Sequence, residues 1–453
     1  MAFSTRRRRS AAVAGGLGIA LVLTACGGDS GDGGDGDAEA GGEVDCSAFE
    51  EFGDLEGETV SVYTSIVSPE DAPHIESYKP FEECTGAEID YEGSREFEAQ
   101  LIVRIQSGNA PDIAYIPQPG LLQTLVRDTG AVVPAPDSVA ANVDEFWNED
   151  WKAYGSVDGT FYAAPIGANV KSFVWYSPSM FEEAGYEIPQ TWDELIDLSD
   201  QIVADGGVPW CAGIGSGDAT GWPATDWLED LVLRTAGPEV YDQWVAHEIP
   251  FDDPQIAEAL AEVGSILKNE EYVNGGLGGV QSIASTEFGD AGLPILDGAC
   301  WMHRQASFYQ ANWPEGTEVA EDGDVFAFYF PSMDDTRPLL GGGEFAAAFS
   351  DRPAVQAFQT YLSSDDWANE KAKVSGPGWV SSNTGLDPAN LESPIDQLSA
   401  ELFQDEEAIF RFDASDLMPG EVGAGSFWTE MTNWIANDKD DQAVLEAIEA
   451  SWP

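Results

Sequence analysis

The chain has 453 residues, with 19 Lys and Arg against 82 Asp and Glu, a formal net charge of −63 at pH 7. That balance argues against nucleic acid as a partner, because phosphate binding needs basic patches, and against docking on anionic headgroups through a polybasic face. With 43% hydrophobic and 11% aromatic residues, most of the chain can fold, and its length corresponds to two or three domain-sized units.

The N-terminus is read as an address rather than as part of the fold. Arg6 to Arg9 form a positive patch, followed by an apolar run from Ala11 to Ala25 that is too short for a comfortable membrane span. Residues 1–25 are therefore expected to be a signal peptide. The run ends Leu23-Thr24-Ala25-Cys26, which resembles the bacterial lipobox. The resemblance implies that Cys26 becomes the lipidated mature N-terminus, anchoring the protein without a spanning helix. Losing the four arginines takes the basic count from 19 to 15 and the net charge to −67. Residues 27–45 are nearly all Gly, Asp, Glu, Ala and Ser. Their glycine and self-repelling charge predict a flexible acidic tether, assigned to 26–57. Their spacing fits no regular calcium loop.

With Cys26 taken by lipid, Cys46, Cys84, Cys211 and Cys300 remain. An even number in an exported chain points to two disulfides. Three pairings are open, and the neighbour pairing Cys46–Cys84 and Cys211–Cys300 is the expected one. No cysteine or histidine spacing indicates zinc, and only His74, His247 and His303 are present. No metal and no cofactor are expected.

In chain order, residues 58–65 alternate as a strand, 69–84 carry a helical pattern, 87–91 form a strand, and 97–107 form a helix ending at Gly108. A third strand follows at 111–116 and a helix at 121–128, stopped by Gly130. The alternation argues for a parallel α/β sheet. Strands are predicted at 160–164 and 172–176, and a helix over 177–185 with Gly185 as its stop. Thr191 and Glu194 form a capping box for a helix over 191–204. Further helices are predicted at 254–268, 353–362 and 442–450, with buried strands at 325–330 and 345–349. The run Asn274-Gly275-Gly276-Leu277-Gly278-Gly279 lacks the Lys-Ser/Thr of a phosphate cradle and reads as a loop.

Ligands of open α/β sheets sit beyond the carboxyl ends of the strands. Here those ends carry Thr64-Ser65, then Ser94-Arg95-Glu96, then Gln118. Hydroxyl, guanidinium, carboxylate and amide groups on three successive strand ends suit a polyhydroxylated ligand.

Several segments are similar to the extracellular sugar-binding proteins of ABC importers. They are Ser107-Gly108-Asn109-Ala110-Pro111-Asp112-Ile113, Asp158 to Pro165, Val174 to Gly185, and Ile188 to Leu195. Within that family the chain resembles the α-glucoside binders through Thr220-Gly221-Trp222-Pro223, Cys300 to Gln305, Gly341-Gly342-Gly343-Glu344 and Asp416-Leu417-Met418-Pro419. The resemblance implies a two-lobed α/β fold of the periplasmic-binding-protein type, each lobe a mainly parallel sheet flanked by helices. Its lobes would be 58–167 plus 337–375 and 168–336 plus 376–453. It further implies an α-glucoside held in the cleft, closure about a hinge, delivery to a membrane permease, and no catalysis. The expected protein is a monomer, exported and lipid-anchored on the outer face of the cytoplasmic membrane.

Sugar recognition needs aromatic faces for C–H surfaces and polar groups for hydroxyls. Trp222, Trp379 and Trp428 are each read as lying in a polar loop beside Gly or Pro and are candidate platforms, although most aromatic residues of such a chain pack in the core. With so few basic residues, Arg95, Lys171 and Arg304 are candidate hydroxyl ligands, against the competing role of salt bridges with the abundant acids. Gln305 beside Arg304, Glu344 after three glycines, and Asp226 and Asp416 complete the set with Ser65, Ser94, Glu96 and Gln118. A secreted glycoside hydrolase using paired carboxylates, and a binding protein for a polyamine held by carboxylates and aromatic walls, are the alternatives. Cys26→Ala should move the protein from the membrane to the soluble fraction on cell fractionation, and continued membrane retention would remove the lipid anchor.

Overall fold

The computed structural model describes residues 45–274, 277–405 and 407–453. The signal peptide, Cys26 and the tether up to residue 44 lie outside the described residues. The tether assigned to 26–57 is too long, because its last part is folded. Residues Cys46–Phe52 form a short 3-10 helix tied by the Cys46–Cys84 disulfide. Phe49 is buried there, with its ring centroid 5.3 Å from Tyr361 and 6.3 Å from Phe81. The second disulfide joins Cys211 and Cys300, so the neighbour pairing holds.

Two sheet systems organise the rest. In the first, the strands Thr59–Thr64, Glu88–Gly93 and Ile113–Ile116 are parallel, as their alternation with helices predicts. Phe345–Ala348 and Ala163–Pro165 extend it, Phe345–Ala348 running antiparallel to both its neighbours. Apolar clusters pack on both faces, one around Phe81, Phe358 and Trp367, the other around Leu101, Leu122 and Trp151. Burial on both faces is what lets Ile113–Ile116 be wholly apolar.

The second system differs from the mainly parallel arrangement expected of it. Phe173–Tyr176 lies between Phe326–Tyr329 and Met302–Arg304, antiparallel to both. A further sheet pairs Arg337–Gly342 in parallel with Ala408–Phe412 and antiparallel with Asn169–Val170. Strand direction is set by how distant segments return to the sheet, which local alternation does not encode. Helices Trp222–Thr235 and Pro254–Leu267 pack across this half, in its own apolar cluster. Helix Trp192–Ala204 begins where expected: Thr191 accepts from Glu194 N at 3.3 Å. The Glu194 carboxylate, however, accepts from Gln190 N at 2.7 Å, one residue before the cap.

Three segments run side by side between the two systems. Ile166 N donates to Glu344 O, and Ala168 N to Val380 O, each at 2.9 Å. Gly343 is required there, since a Cβ would lie 2.3 Å from Gly167 O. Among the described residues, no helix is long and apolar enough to cross a membrane.

Candidate functional site

A cleft open to solvent lies beside these three segments, lined from both sheet systems. The first sheet contributes the residues that follow its parallel strands, Ser65, Arg95 and Gln118. Glu70 and Glu98 stand beside them, at the starts of the helices Asp71–Ser77 and Phe97–Gln106. The second system contributes Lys171, Ser216, Trp222, Asp416 and Trp428, and the crossing segment adds Glu344.

The aromatic wall depends on a glycine. Trp222 opens the helix Trp222–Thr235, and Trp428 lies where the π-helical turn Val422–Phe427 runs on into the helix Trp428–Ala436, so neither lies in a loop. Gly221, at φ +117°, packs so closely that a Cβ would stand 2.2 Å from Trp428 O. Its missing side chain lets the start of the Trp222 helix meet the helical segment that carries Trp428. The Trp222 ring lies 5.2 Å from Phe288 and 6.1 Å from Phe308. Opposite, the exposed Arg95 lies over Phe288 and pairs with Glu287 at 3.3 Å, joining the two sides of the cavity at its rim.

Beneath the wall is a buried charge cluster. Lys171 Nζ is 3.0 Å from Asp226 and pairs with Asp413, and it lies 5.4 Å from the Trp222 ring. Glu229 accepts from Ala414 N at 2.8 Å and Ser415 N at 3.1 Å. Arg304 donates to Asp230 at 2.7 Å, and Arg234 pairs with the same carboxylate. Burial works to lower the Lys171 ammonium, but Asp226, Asp413, Asp416 and Glu229 outweigh it and hold its pKa well above the ordinary value. Burial pushes Asp226 up to about 7 and Glu229 well up. Asp413, against its burial, is held down at about 2, chiefly by Lys171. The oxygens of Asp226, Glu229 and Asp413 lie within 4.8 Å of one another, a spacing able to hold a metal ion. The Lys171 ammonium already sits on two of them and supplies the positive charge the group needs.

The carboxyl groups facing the cavity are weakly compensated. Glu70 is pushed up to about 7, first by burial and then by Glu344. Burial also raises Glu344, and raises Glu98 despite its 3.0 Å bond from Gln118 Nε2. Burial and then Asp413 push Asp416 well up. Several buried polar atoms here have no partner, among them Gln118 Oε1, Asn169 Oδ1 and Trp428 Nε1. Unpartnered buried polar atoms are costly in a folded protein and are a mark of a site that binds polar groups.

Of the fourteen sequence candidates, Ser65, Arg95, Gln118, Lys171, Trp222, Glu344, Asp416 and Trp428 line this cavity. Trp379 lines an adjoining one. Asp226, Arg304 and Gln305 are corrections. All three are buried and none lines either cavity. Asp226 and Arg304 belong to the charge cluster, and Gln305 Oε1 accepts from Ala306 N at 2.8 Å. Ser94 and Glu96 also fall outside the lining, where the Ser94 hydroxyl accepts from Glu96 N at 3.1 Å in the loop turn. Sequence reasoning missed Glu70, Glu98, Asn169, Ser216, Phe288, Phe308, Asp413 and Ser415. For Asp413 a signal existed, since it precedes Asp416 as the cap of the helix Ala414–Leu417, its carboxylate accepting from Asp416 N at 2.8 Å. Phe288 and Phe308 carry no local mark, because only tertiary contact brings them to Trp222.

A model of the bacterial extracellular solute-binding protein family matches residues 58–292. The chain is 38% identical over 424 residues to the alpha-glucosides-binding periplasmic protein AglE of Rhizobium meliloti, covering 89% of each. It is 38% identical over 406 residues to the osmoprotective compounds-binding protein GgtB of Synechocystis sp., covering 88% of this chain and 94% of that one. The crystal structure of the bacterial solute receptor AcbH, a protein with an exclusive preference for β-D-galactopyranose, superposes with a TM-score of 0.73 at 18% identity. That match covers 87% of this chain and 98% of AcbH. A chitin oligosaccharide binding protein gives a TM-score of 0.71, also at 18% identity, over 86% and 97%. These likenesses establish the two-lobed α/β fold.

Two outcomes follow from the buried charges. Lys171→Met leaves Asp226 and Asp413 buried without their cation, so it should cost about 3–5 kcal/mol of stability, read by urea denaturation; a loss below 1 kcal/mol would remove the cluster's structural role. Asp396, which accepts from Gln310 Nε2 at 2.6 Å and from Gly378 N at 3.3 Å, is raised by burial from 3.8 to about 7. The native state therefore binds an extra proton across that window, and stability falls as pH rises through it. Asp396→Asn should flatten the decline in melting temperature between pH 4 and pH 7, and parallel curves for both proteins would contradict the assignment.

Proposed function

We propose that this chain, which belongs to the family of bacterial extracellular solute-binding proteins, captures an α-glucoside in the cavity and delivers it to the permease of an ABC importer. The family's members are non-enzymatic transport components, and the glycoside-hydrolase alternative falls with that. The observation that carries the sugar reading is the composition of one cavity wall against the other. Trp222 and Trp428 offer ring faces, and Glu70, Glu344, Asp416, Arg95 and Gln118 offer acceptors and donors around them. A pyranose has apolar C–H faces and a rim of hydroxyls that both donate and accept, and this set matches both. The α-glucoside class is supported by 38% identity to AglE over most of both chains.

The lobes are assigned as 45–167 plus 343–375 and 168–342 plus 376–453; the crossing expected at 337 moves to 343 because Arg337–Gly342 pairs with Asn169–Val170 and Ala408–Phe412 of the second system. The three adjacent crossing segments, near residues 167, 343 and 379, serve as the hinge in this reading. They support it by running side by side with backbone hydrogen bonds from Ile166 N to Glu344 O and from Ala168 N to Val380 O, a narrow crossing that bends with small dihedral changes. Arg95 and Glu287 would then meet as the lobes close. The protein works as a monomer, lipid-anchored through Cys26 on the outer face of the cytoplasmic membrane, and its permease partner is driven by a cytosolic ATPase.

Calorimetric titration with maltose, trehalose and sucrose, with spermidine as the contrasting amine, tests the reading. Saturable binding of at least one sugar and none of spermidine is expected; the reverse pattern would replace the sugar with a polyamine. Trp222→Ala and Glu344→Gln should each weaken binding of the preferred sugar about tenfold or more, equivalent to about 1.4 kcal/mol, and unchanged affinity in both would remove them from the site.

A further inference from the structure

The strand Ile113–Ile116 leads through Pro117 to Gln118, which stands at the start of the helix Pro119–Thr124. A polar residue in that position commonly turns its side-chain oxygen back onto a helix N–H. Gln118 does not, and its side chain makes no capping bond. It is 4% exposed and lines the cleft. Its Nε2 donates to Glu98 Oε1 at 3.0 Å, and its Oε1 is buried without a partner. Glu98 comes from the first turn of the helix Phe97–Gln106 and lines the same cleft.

A half-turn of a glutamine side chain exchanges the two ends of its amide, so what lies beside it decides which end faces where. An ionised carboxylate only accepts. Beside Gln118 it therefore takes the amide N–H and leaves the carbonyl oxygen as the end without a partner. The first turn of a helix favours negative charge at Glu98. Burial raises the Glu98 carboxyl, while its own backbone N–H and the Gln118 amide work in the opposite direction. The cations that line the cleft are committed elsewhere: Arg95 pairs with Glu287, and Lys171 with Asp226 and Asp413. A buried carbonyl oxygen costs free energy until a donor reaches it.

We propose that Glu98 is a positioning residue for ligand recognition: it turns Gln118 so that the cleft presents an acceptor at this point, and the ligand must bring a hydroxyl that donates there. This rests on the sugar reading above and adds the polarity of one contact and the residue that sets it. A substituent that accepts but cannot donate leaves Gln118 Oε1 unpaired and is rejected, as in other sites built to bond a hydroxyl.

The test is calorimetry on the purified protein with maltose, trehalose and sucrose, and with derivatives of each in which one glucosyl hydroxyl at a time is replaced by fluorine, which cannot donate. For at least one position the wild-type protein should bind the fluorinated sugar tenfold or more weaker than its parent. In Glu98→Gln the new amide can donate to Gln118 Oε1, which frees Gln118 to turn its N–H end to the ligand. The loss at one such position should then shrink to less than threefold, with the losses at the other positions unchanged. A merely structural defect would weaken every sugar by a common factor and leave the profile as it was. Gln118→Met, which removes both ends of the amide, should erase the same single loss and keeps the test open if Glu98→Gln does not fold. An unchanged profile in the folded variant overturns the positioning role. A wild-type protein that binds a parent sugar but tolerates fluorine at every position overturns it too and leaves the sugar reading standing, whereas binding of none of the three parent sugars overturns both.

Discussion

The arrangement of this molecule turns on a buried ammonium. Lys171 holds Asp226 and Asp413 together, and those two residues come from a helix and a loop almost 190 positions apart in the chain. The helix Trp222–Thr235 continues the pattern: Asp226, Asp230 and Arg234 recur every fourth residue, and Arg304 reaches the same carboxylates from the strand Met302–Arg304. Buried charges of this kind add little net stability over apolar packing, but each is costly once its partner is lost. Their consequence is positional. The cluster fixes where the helix begins, and Trp222 at its first turn is thereby set against Phe288, Phe308 and Trp428.

The contrast between this cluster and the cavities above it separates structure from recognition. Within the cluster most polar atoms are satisfied by the chain itself, through Lys171, Arg304, Arg234 and the backbone N–H groups of Ala414 and Ser415. In the cavities, carboxyl groups are raised by burial, and Gln118, Asn169, Trp379 and Trp428 each leave a polar atom unpartnered. A folded protein tolerates such groups where a ligand completes them. The chain's large acidic excess contributes only a few residues to this lining; the remaining acids among the described residues are mostly exposed.

Of the candidate residues, those at the ends of parallel strands were legible in advance. Ser65, Arg95 and Gln118 follow from β-α-β alternation and the rule that ligands sit beyond strand ends. The aromatic candidates were identified by residue type but placed in the wrong local setting, since Trp222 opens a helix behind Gly221 and Trp428 lies inside a continuous helical segment. Arg304 and Asp226 show the opposite error. Their sequence context marked them as functional, yet whether an arginine meets a ligand or a buried carboxylate depends on its distance from Asp230, which lies 74 residues earlier in the chain. Phe288 and Phe308 were invisible for the same reason.

By itself the sequence determined the α/β class, the presence of two disulfides, the helix starts at Thr191 and Pro254, and the family, because these rest on local propensity, on cysteine parity, and on contiguous motifs. Tertiary structure alone decided the antiparallel direction of the second sheet system, which cysteines pair, the folding of residues 46–57 onto the first sheet's core, and the division of charged residues between a sealed cluster and an open cavity. Those outcomes depend on long-range contacts, in which an Asp, Lys or Trp takes its role from what folds against it rather than from its neighbours in the chain.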